Sequence, residues 1–142
     1  MDCPFCNKLT ISKQKYYEAQ HFYILADSRP ITYGHSLIVP KRHIETIVAL
    51  NEKEIKELLS LIKSLNRKIL SKFGYDSFNL VNNTGVNAGQ TVKHSHIHFI
   101  PRKKGDRNKG FKNLCFPTHK GRKLITNEEF KEKTNKLKKL VS

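Results

Sequence analysis

The sequence has no tryptophan, one methionine and only three cysteines. It has 12 acidic residues against 27 lysines and arginines. No run approaches the ~18–20 consecutive apolar residues of a membrane-spanning helix, which excludes a helical span. Met1 is followed by Asp2, Cys3 and Pro4 rather than by an apolar segment, so no secretory leader is expected. An odd cysteine count without an export signal fits a disulfide framework poorly. The expectation is a cytoplasmic chain with reduced thiols. There is no internal repeat and no low-complexity tract.

What is present fits one domain. The chain has 142 residues, 37% of them apolar and 27% charged, long enough to bury a core without cross-links. Recurrent apolar runs exclude a disordered chain. The net charge of +15 is unevenly placed. Residues 1–100 carry 13 basic and 8 acidic side chains, a net of +5, whereas residues 101–142 carry 14 and 4, a net of +10. Such a tail admits two readings: a solvated lysine-rich surface, or attraction to phosphate-bearing partners such as nucleotides or nucleic acid.

Phe22–Ala26 and His35–Val39 read as strands, the first followed by the turn residues Asp27-Ser28-Arg29-Pro30 and the second stopped by Pro40. Asn51 and Glu54 form a capping-box pattern, and Ile55, Leu58, Leu59, Ile62, Leu65 and Ile69 follow at three- and four-residue spacing. This predicts a long helix packed on a core and ended near Gly74. Phe78–Asn82 reads as a third strand, Asn83–Gly89 as a loop and Val92–Ile100 as a fourth strand. Thr126 to Glu129 is a second capping-box pattern opening a short, basic last helix with Phe130, Leu137 and Val141 on one side. Strands mixed with one long and one late helix predict an α+β domain.

His94-Ser95-His96-Ile97-His98 carries the chemistry. On a strand these three imidazoles share one face, for which packing offers no reason. Same-face neighbours lie ~7 Å apart, twice the rise per residue, too far for three to converge on one ion. Separate jobs along the strand are expected. The preceding loop, with Gly85, Gly89, Gln90 and Thr91, has the composition to present N–H groups and polar side chains to an anion. Cys3 and Cys6 form a C-x-x-C knuckle, which in a reducing compartment suggests metal or redox chemistry.

Gly89 to Arg102 (GQTVKHSHIHFIPR) resembles the histidine triad (HIT) signature, with Ser95 at a position where the family usually has an apolar residue. Gly34 to His43 (GHSLIVPKRH) is similar to the family's strand ending in P-K-x-H. Cys3-Pro4-Phe5-Cys6 looks like the N-terminal knuckle of many prokaryotic members. The resemblance spans roughly residues 3–104, and its wording is closest to the fragile-histidine-triad dinucleoside polyphosphate hydrolases.

The resemblance implies an antiparallel sheet with one long and one C-terminal helix, paired as a homodimer with joined sheets. The core is expected over residues 1–104; the resemblance carries nothing beyond it, and 105–142 is expected as a basic extension of the same domain ending in the short helix. The resemblance further implies a nucleotide hydrolase or nucleotidyl transferase cutting at the α-phosphate of AMP-containing substrates. Dinucleoside polyphosphates and AMP phosphoramidates are the first candidates. His96 would be the nucleophile, His98 a donor beside the phosphate and His35 a partner behind the triad. Gln90 and Thr91 would bond the phosphates, Asn83 would contact substrate and Asp27 would bind the ribose hydroxyls. Cys3, Cys6, His43 and His94 would hold one structural zinc per chain. Two other classes remain: removal of AMP from DNA ends, as in aprataxin, which the basic tail favours and the lack of a C-terminal zinc finger opposes; and a non-catalytic nucleotide-binding module. Weak non-specific nucleic-acid binding through the tail is expected, and no membrane partner. Cys115, His21 and His119 match no motif.

Overall fold

The computed structural model describes residues 2–106 and 122–141. Cys115 and His119 lie outside them. Five antiparallel strands form one sheet: β1 (Lys15–Glu18), β2 (Phe22–Ala26), β3 (Ser36–Pro40), β4 (Ser77–Val81) and β5 (Ile97–Arg102), in the order β1-β2-β3-β5-β4. Among the described residues, three helices of seven residues or more accompany it: α1 (Lys8–Gln14), α2 (Glu52–Leu65) and α3 (Asn127–Val141). No helix among the described residues is long and apolar enough to cross a membrane.

Strand periodicity sorts the sheet's two faces. Phe22, Ile24, Ile38, Ile97 and Phe99 share a core with Leu61 and Leu65 of α2 and Leu137 of α3. Leu25, Leu37 and Val39 form a second cluster with Phe5 and with Ile11 of α1. Both faces are thus covered, and β3 is buried at every position. His98 pairs with Leu37 on one side and Val81 on the other. The register therefore places it in the middle of the sheet, on the face that the N-terminal segment covers.

The capping boxes form as expected. Asn51 accepts from the Glu54 N–H at 3.0 Å while Glu54 accepts from the Asn51 N–H at 2.9 Å, and Thr126 and Glu129 repeat the exchange. Glu54 is also gripped by Arg42, through Nε at 3.1 Å and Nη2 at 3.0 Å. That bidentate pair anchors the segment just before His43 to the start of α2. Gly74 ends the helical run in the left-handed conformation at φ 70°.

Four differences from the sequence reading have physical causes. A π turn over Asn66–Leu70 interrupts the long helix, so Ile69 and Leu70 are both buried although adjacent. The apolar stripe is split: Leu61 and Leu65 are buried, but Ile55 and Leu59 each keep 53% of their area exposed. The last helix is as long as α2 and packs Leu137 and Thr134 inward. The histidine strand begins at Ile97 rather than Val92 and runs through Pro101 to Arg102. The Ser95 N–H bonds the Ile44 carbonyl instead of β3, so His94 and His96 stand on an irregular approach to the strand. α1 and β1 were not expected.

Candidate active site

The histidines, with their partners, form two clusters with His96 between them. At one end, Cys3 Sγ lies 3.4 Å from His94 Nδ1, and Cys6 Sγ lies 3.2 Å from His43 Nδ1 and 3.6 Å from His94 Nδ1. All four potential ligand atoms lie within 4.8 Å of one another. Tetrahedral zinc with Zn–S near 2.3 Å and Zn–N near 2.0–2.1 Å sets its ligands about 3.3–3.8 Å apart, so the spacing fits. The tautomer fits too. His94 Nε2–H donates to the Pro40 carbonyl at 2.8 Å, which puts the lone pair on Nδ1, facing the sulfurs. This cluster could hold a metal ion.

At the other end, a hydrogen-bond chain fixes two more rings. The Ile31 N–H donates to His35 Nδ1 at 3.0 Å, so the neutral His35 carries its proton on Nε2. That proton faces His98 Nδ1 at 2.8 Å, so His98 in turn carries its proton on Nε2. Asp27 lies alongside, with Oδ2 at 3.4 Å from His35 Nε2 and 3.8 Å from His98 Nδ1. Asp27, His35 and His98 also have metal-ligand spacing. Their ligand atoms are turned on one another, however, and Arg122 Nη1 sits 3.0 Å from the same carboxylate oxygen. A cation there would meet a guanidinium already in place.

Between the clusters, His96 Nδ1–H donates to the His94 carbonyl at 2.9 Å, placing the lone pair on Nε2. Its ring lies 5.3 Å from that of His98 and 5.2 Å from Phe5, centroid to centroid. Asn82 Nδ2 donates to the His96 carbonyl at 2.9 Å and steadies the backbone there. His96 and His98 line a cleft of about 110 Å³ together with Asp27, Thr91, Leu37 and Arg122. A larger groove of about 630 Å³ between α1 and α3 shares Thr10, Gln14 and Ser28 with it but holds no histidine. The reactive groups belong to the smaller cleft.

Burial dominates the electrostatics. It pushes the His35 pKa down to about 4, against the pull of Asp27. Burial, helped by His35, holds His98 well below the ordinary histidine range. Burial opposes the charge of Asp27, but His35, Arg122, His98 and the Arg29 N–H together outweigh it and hold the carboxyl far below its usual range. Both imidazoles are therefore neutral at neutral pH. Below the unfolded histidine value of about 6.5 the unfolded chain takes up protons that the folded chain refuses, so stability falls as the pH drops from there toward about 4. The expected loss from His35 is on the order of 1–3 kcal/mol. Urea midpoints measured across that range should fall in the wild type and fall less in His35→Gln.

The sequence-derived residues divide. His35, His96, His98, Asp27, Thr91 and the four metal candidates come together as described. Gln90 instead braces its own loop: Oε1 accepts from the Gly85 N–H at 2.7 Å, and Nε2 donates to the carbonyls of Glu45 at 2.8 Å and Val92 at 3.0 Å. Asn83 is half-buried and does not line the cleft, while its neighbour Asn82 holds His96. His21, which matches no motif, is half-buried beside Glu57. Its N–H and that of Gln20 cap the Glu57 carboxylate at 2.7 and 3.0 Å. Arg122, Asn82 and Phe5 went unforeseen.

This fold and this row of histidines define a class, and the comparisons agree. The HIT domain matches residues 8–105, and the chain belongs to that family. Cys3 and Cys6 precede the matched span; His43 and His94 lie inside it. The chain is 40% identical over 108 residues to an uncharacterised HIT-like protein of Methanocaldococcus jannaschii, covering 73% of this chain and 81% of that one. It is 37% identical over 107 residues to an adenylylsulfatase of Arabidopsis thaliana, covering 74% of this chain and 54% of that one. It is 31% identical over 102 residues to the asymmetrical bis(5'-nucleosyl)-tetraphosphatase of Schizosaccharomyces pombe, covering 72% and 56%. The crystal structure of a zinc-bound histidine triad family protein from Mycobacterium smegmatis superposes with a TM-score of 0.74 at 26% identity, over 99% of this chain and 94% of that one.

Proposed function

We propose that this protein is a nucleotide hydrolase or nucleotidyl transferase that cleaves at the α-phosphate of AMP-containing substrates through a nucleotidyl-His96 intermediate. The observation that carries this reading is the His96 tautomer. With Nδ1–H held by the His94 carbonyl, the lone pair lies on Nε2, the atom that must attack phosphorus. Attack forms the Nε2–P bond and breaks the bond from phosphorus to the leaving group. The imidazole becomes cationic, and the carbonyl already in contact with Nδ1–H stabilises that charge without reorganising. His98 presents Nε2–H as a donor to the phosphoryl oxygens. Water then attacks phosphorus and gives up a proton to solvent as the new P–O bond forms; the N–P bond breaks, its electron pair returns to His96 Nε2 and AMP is released.

Thr91, on the rim of the cleft, supplies a hydroxyl to the phosphates in this reading. Gln90 reaches them only by giving up part of its loop bracing. Asp27 serves the ribose end in this reading only by giving up one of its partners, since Arg122 and the Arg29 N–H hold its two oxygens. One zinc held by Cys3, Cys6, His43 and His94 is structural: four protein ligands leave no open position for substrate. It ties the N-terminal segment, including Phe5, to the approach of the catalytic strand. Residues 1–104 form the catalytic core, and 105–142 are an extension of the same domain, whose α3 joins that core through Leu137. A homodimer suits the exposed Ile55 and Leu59 of α2 and the open edge strand β4. Reduced thiols suit the cytoplasm.

The test is turnover on a small panel: diadenosine polyphosphates, adenosine phosphosulfate and AMP phosphoramidates, with AMP release followed by chromatography. At least one should be hydrolysed with AMP as a product. No AMP from any member, by zinc-loaded protein, would overturn the reading.

A further inference from the structure

The segment from Arg122 to Ile125 is stitched across the loop that carries Asp27. Arg122 Nη1 donates to Asp27 Oδ2 at 3.0 Å and to the Arg29 carbonyl at 2.7 Å. Arg29 Nη1 donates back to the Arg122 carbonyl at 3.0 Å, and the Ile125 N–H donates to the Ser28 carbonyl at 3.3 Å. The ion pair is closed to solvent, with 4% of the arginine and 6% of the aspartate side chain exposed. Asp27 Oδ1 accepts from the Arg29 N–H at 2.7 Å. The oxygen that Arg122 holds is the one that faces the two imidazoles.

A buried carboxylate beside an imidazole pair attracts a proton onto that pair, because an isolated buried charge is costly. Such a proton would break the hydrogen-bond chain. His35 Nδ1–H would meet the Ile31 N–H donor, or His98 Nδ1–H would meet His35 Nε2–H. A guanidinium on the same carboxylate supplies the compensating charge without a proton. Among the described residues, the charged and titratable groups that act on the pair are Asp27, Arg122, Arg102 and His96, and Arg122 is the arginine bonded to Asp27.

We propose that Arg122 is a positioning residue for the active site: its guanidinium satisfies Asp27 and so keeps His35 and His98 neutral, with His98 Nε2–H aimed at the substrate. Its use in catalysis rests on the nucleotide reading above; its effect on the histidine pair does not. Arg122 is more than 80 residues from the other members of the cluster in sequence, except His98. It extends the site into a segment beyond the matched family span.

The test is an NMR titration of ¹⁵N-histidine-labelled, zinc-loaded protein, which reads tautomer and protonation directly in the absence of substrate. In the wild type, His35 and His98 should both be neutral Nε2–H tautomers at neutral pH. In Arg122→Met the pair should bind a proton at least about tenfold more readily, one unit higher in midpoint. In Asp27→Asn/Arg122→Met, lacking both charges, the midpoint should fall back toward the wild-type value. Arg122→Lys keeps the charge and should resemble the wild type, so it decides the matter if the methionine variant fails to fold. A midpoint that does not rise in a folded Arg122→Met protein, or that rises as far in Arg122→Lys, overturns the proposal. The acid limb of kcat/KM should move up with the pair in Arg122→Met. If no nucleotide is turned over by the wild type, the reaction reading fails while the titration still decides the role of Arg122.

Discussion

Replacing His96 with glycine should lower turnover by on the order of 10³-fold or more and leave the fold in place. Loss of a nucleophile costs several powers of ten because the two-step path vanishes with it. The ring is only half-buried and lies at the cleft rather than in the core, so its removal leaves no large cavity. Melting temperature and zinc content should match the wild type, and nucleotide binding should persist because Thr91, His98 and Asp27 remain. Steady-state kinetics with a sensitive AMP assay check this. A folded His96→Gly protein that retains a tenth of wild-type turnover contradicts the covalent route. The comparison with His98→Ala is informative. A donor to the phosphate contributes less than a nucleophile, on the order of 10²-fold, so His96 should be the costlier of the two.

Cys6→Ser should release the metal and lower stability by at least about 2 kcal/mol, or on the order of 6–8 °C in Tm. Cys6 contacts both histidine ligands, at 3.2 and 3.6 Å, so its loss opens the site from two sides. The energetic consequence follows from what the site joins: a knuckle at the N-terminus, the segment after β3 and the approach to β5. Without the ion these are held by hydrogen bonds, by the Arg42–Glu54 pair and by the packing of Phe5 and Ile44. Activity should fall in parallel with the mispositioning of His94, whose carbonyl orients His96, but it should not vanish. Elemental analysis and thermal melts with and without chelator give the answer. A wild-type protein that carries no zinc, or a Cys6→Ser variant that melts like the wild type, contradicts a structural ion at this site. Activity proportional to added zinc in an otherwise stable apoprotein would give the metal a part in the reaction.

Local chemistry made much of this molecule legible. Both capping boxes formed because side-chain and backbone partners only three residues apart decide them. β2, β3 and β4 were readable from short apolar runs bounded by turn residues. α1 was not: its seven residues bury only Ile11, so there was no stripe to see, and Asn7 alone marks its start by accepting from two N–H groups. Alternation suggested a strand from Val92, yet the irregular approach places His94 against Cys3 and Cys6 and separates it from His98. The metal cluster and the triad were legible through the resemblance, which carries long-range pairings that periodicity does not. Arg122 had no such guide. It belongs to no motif and meets Asp27 only because the chain returns from 95 residues away. Asn82 and Asn83 differ in role by one turn position, a distinction set by which side chain reaches the His96 carbonyl.

The central claim is that His96 Nε2 takes the nucleotidyl group, and the intermediate can be trapped. The zinc-loaded protein is mixed briefly with an AMP donor that it hydrolyses, quenched under conditions that preserve phosphoramidate bonds, digested and mapped by mass spectrometry. The account predicts an AMP adduct on the peptide spanning His94 to His98, assigned by fragmentation to His96 and absent from His96→Gly. Rapid AMP release with no adduct at the shortest mixing times, or an adduct that survives in His96→Gly, would contradict it.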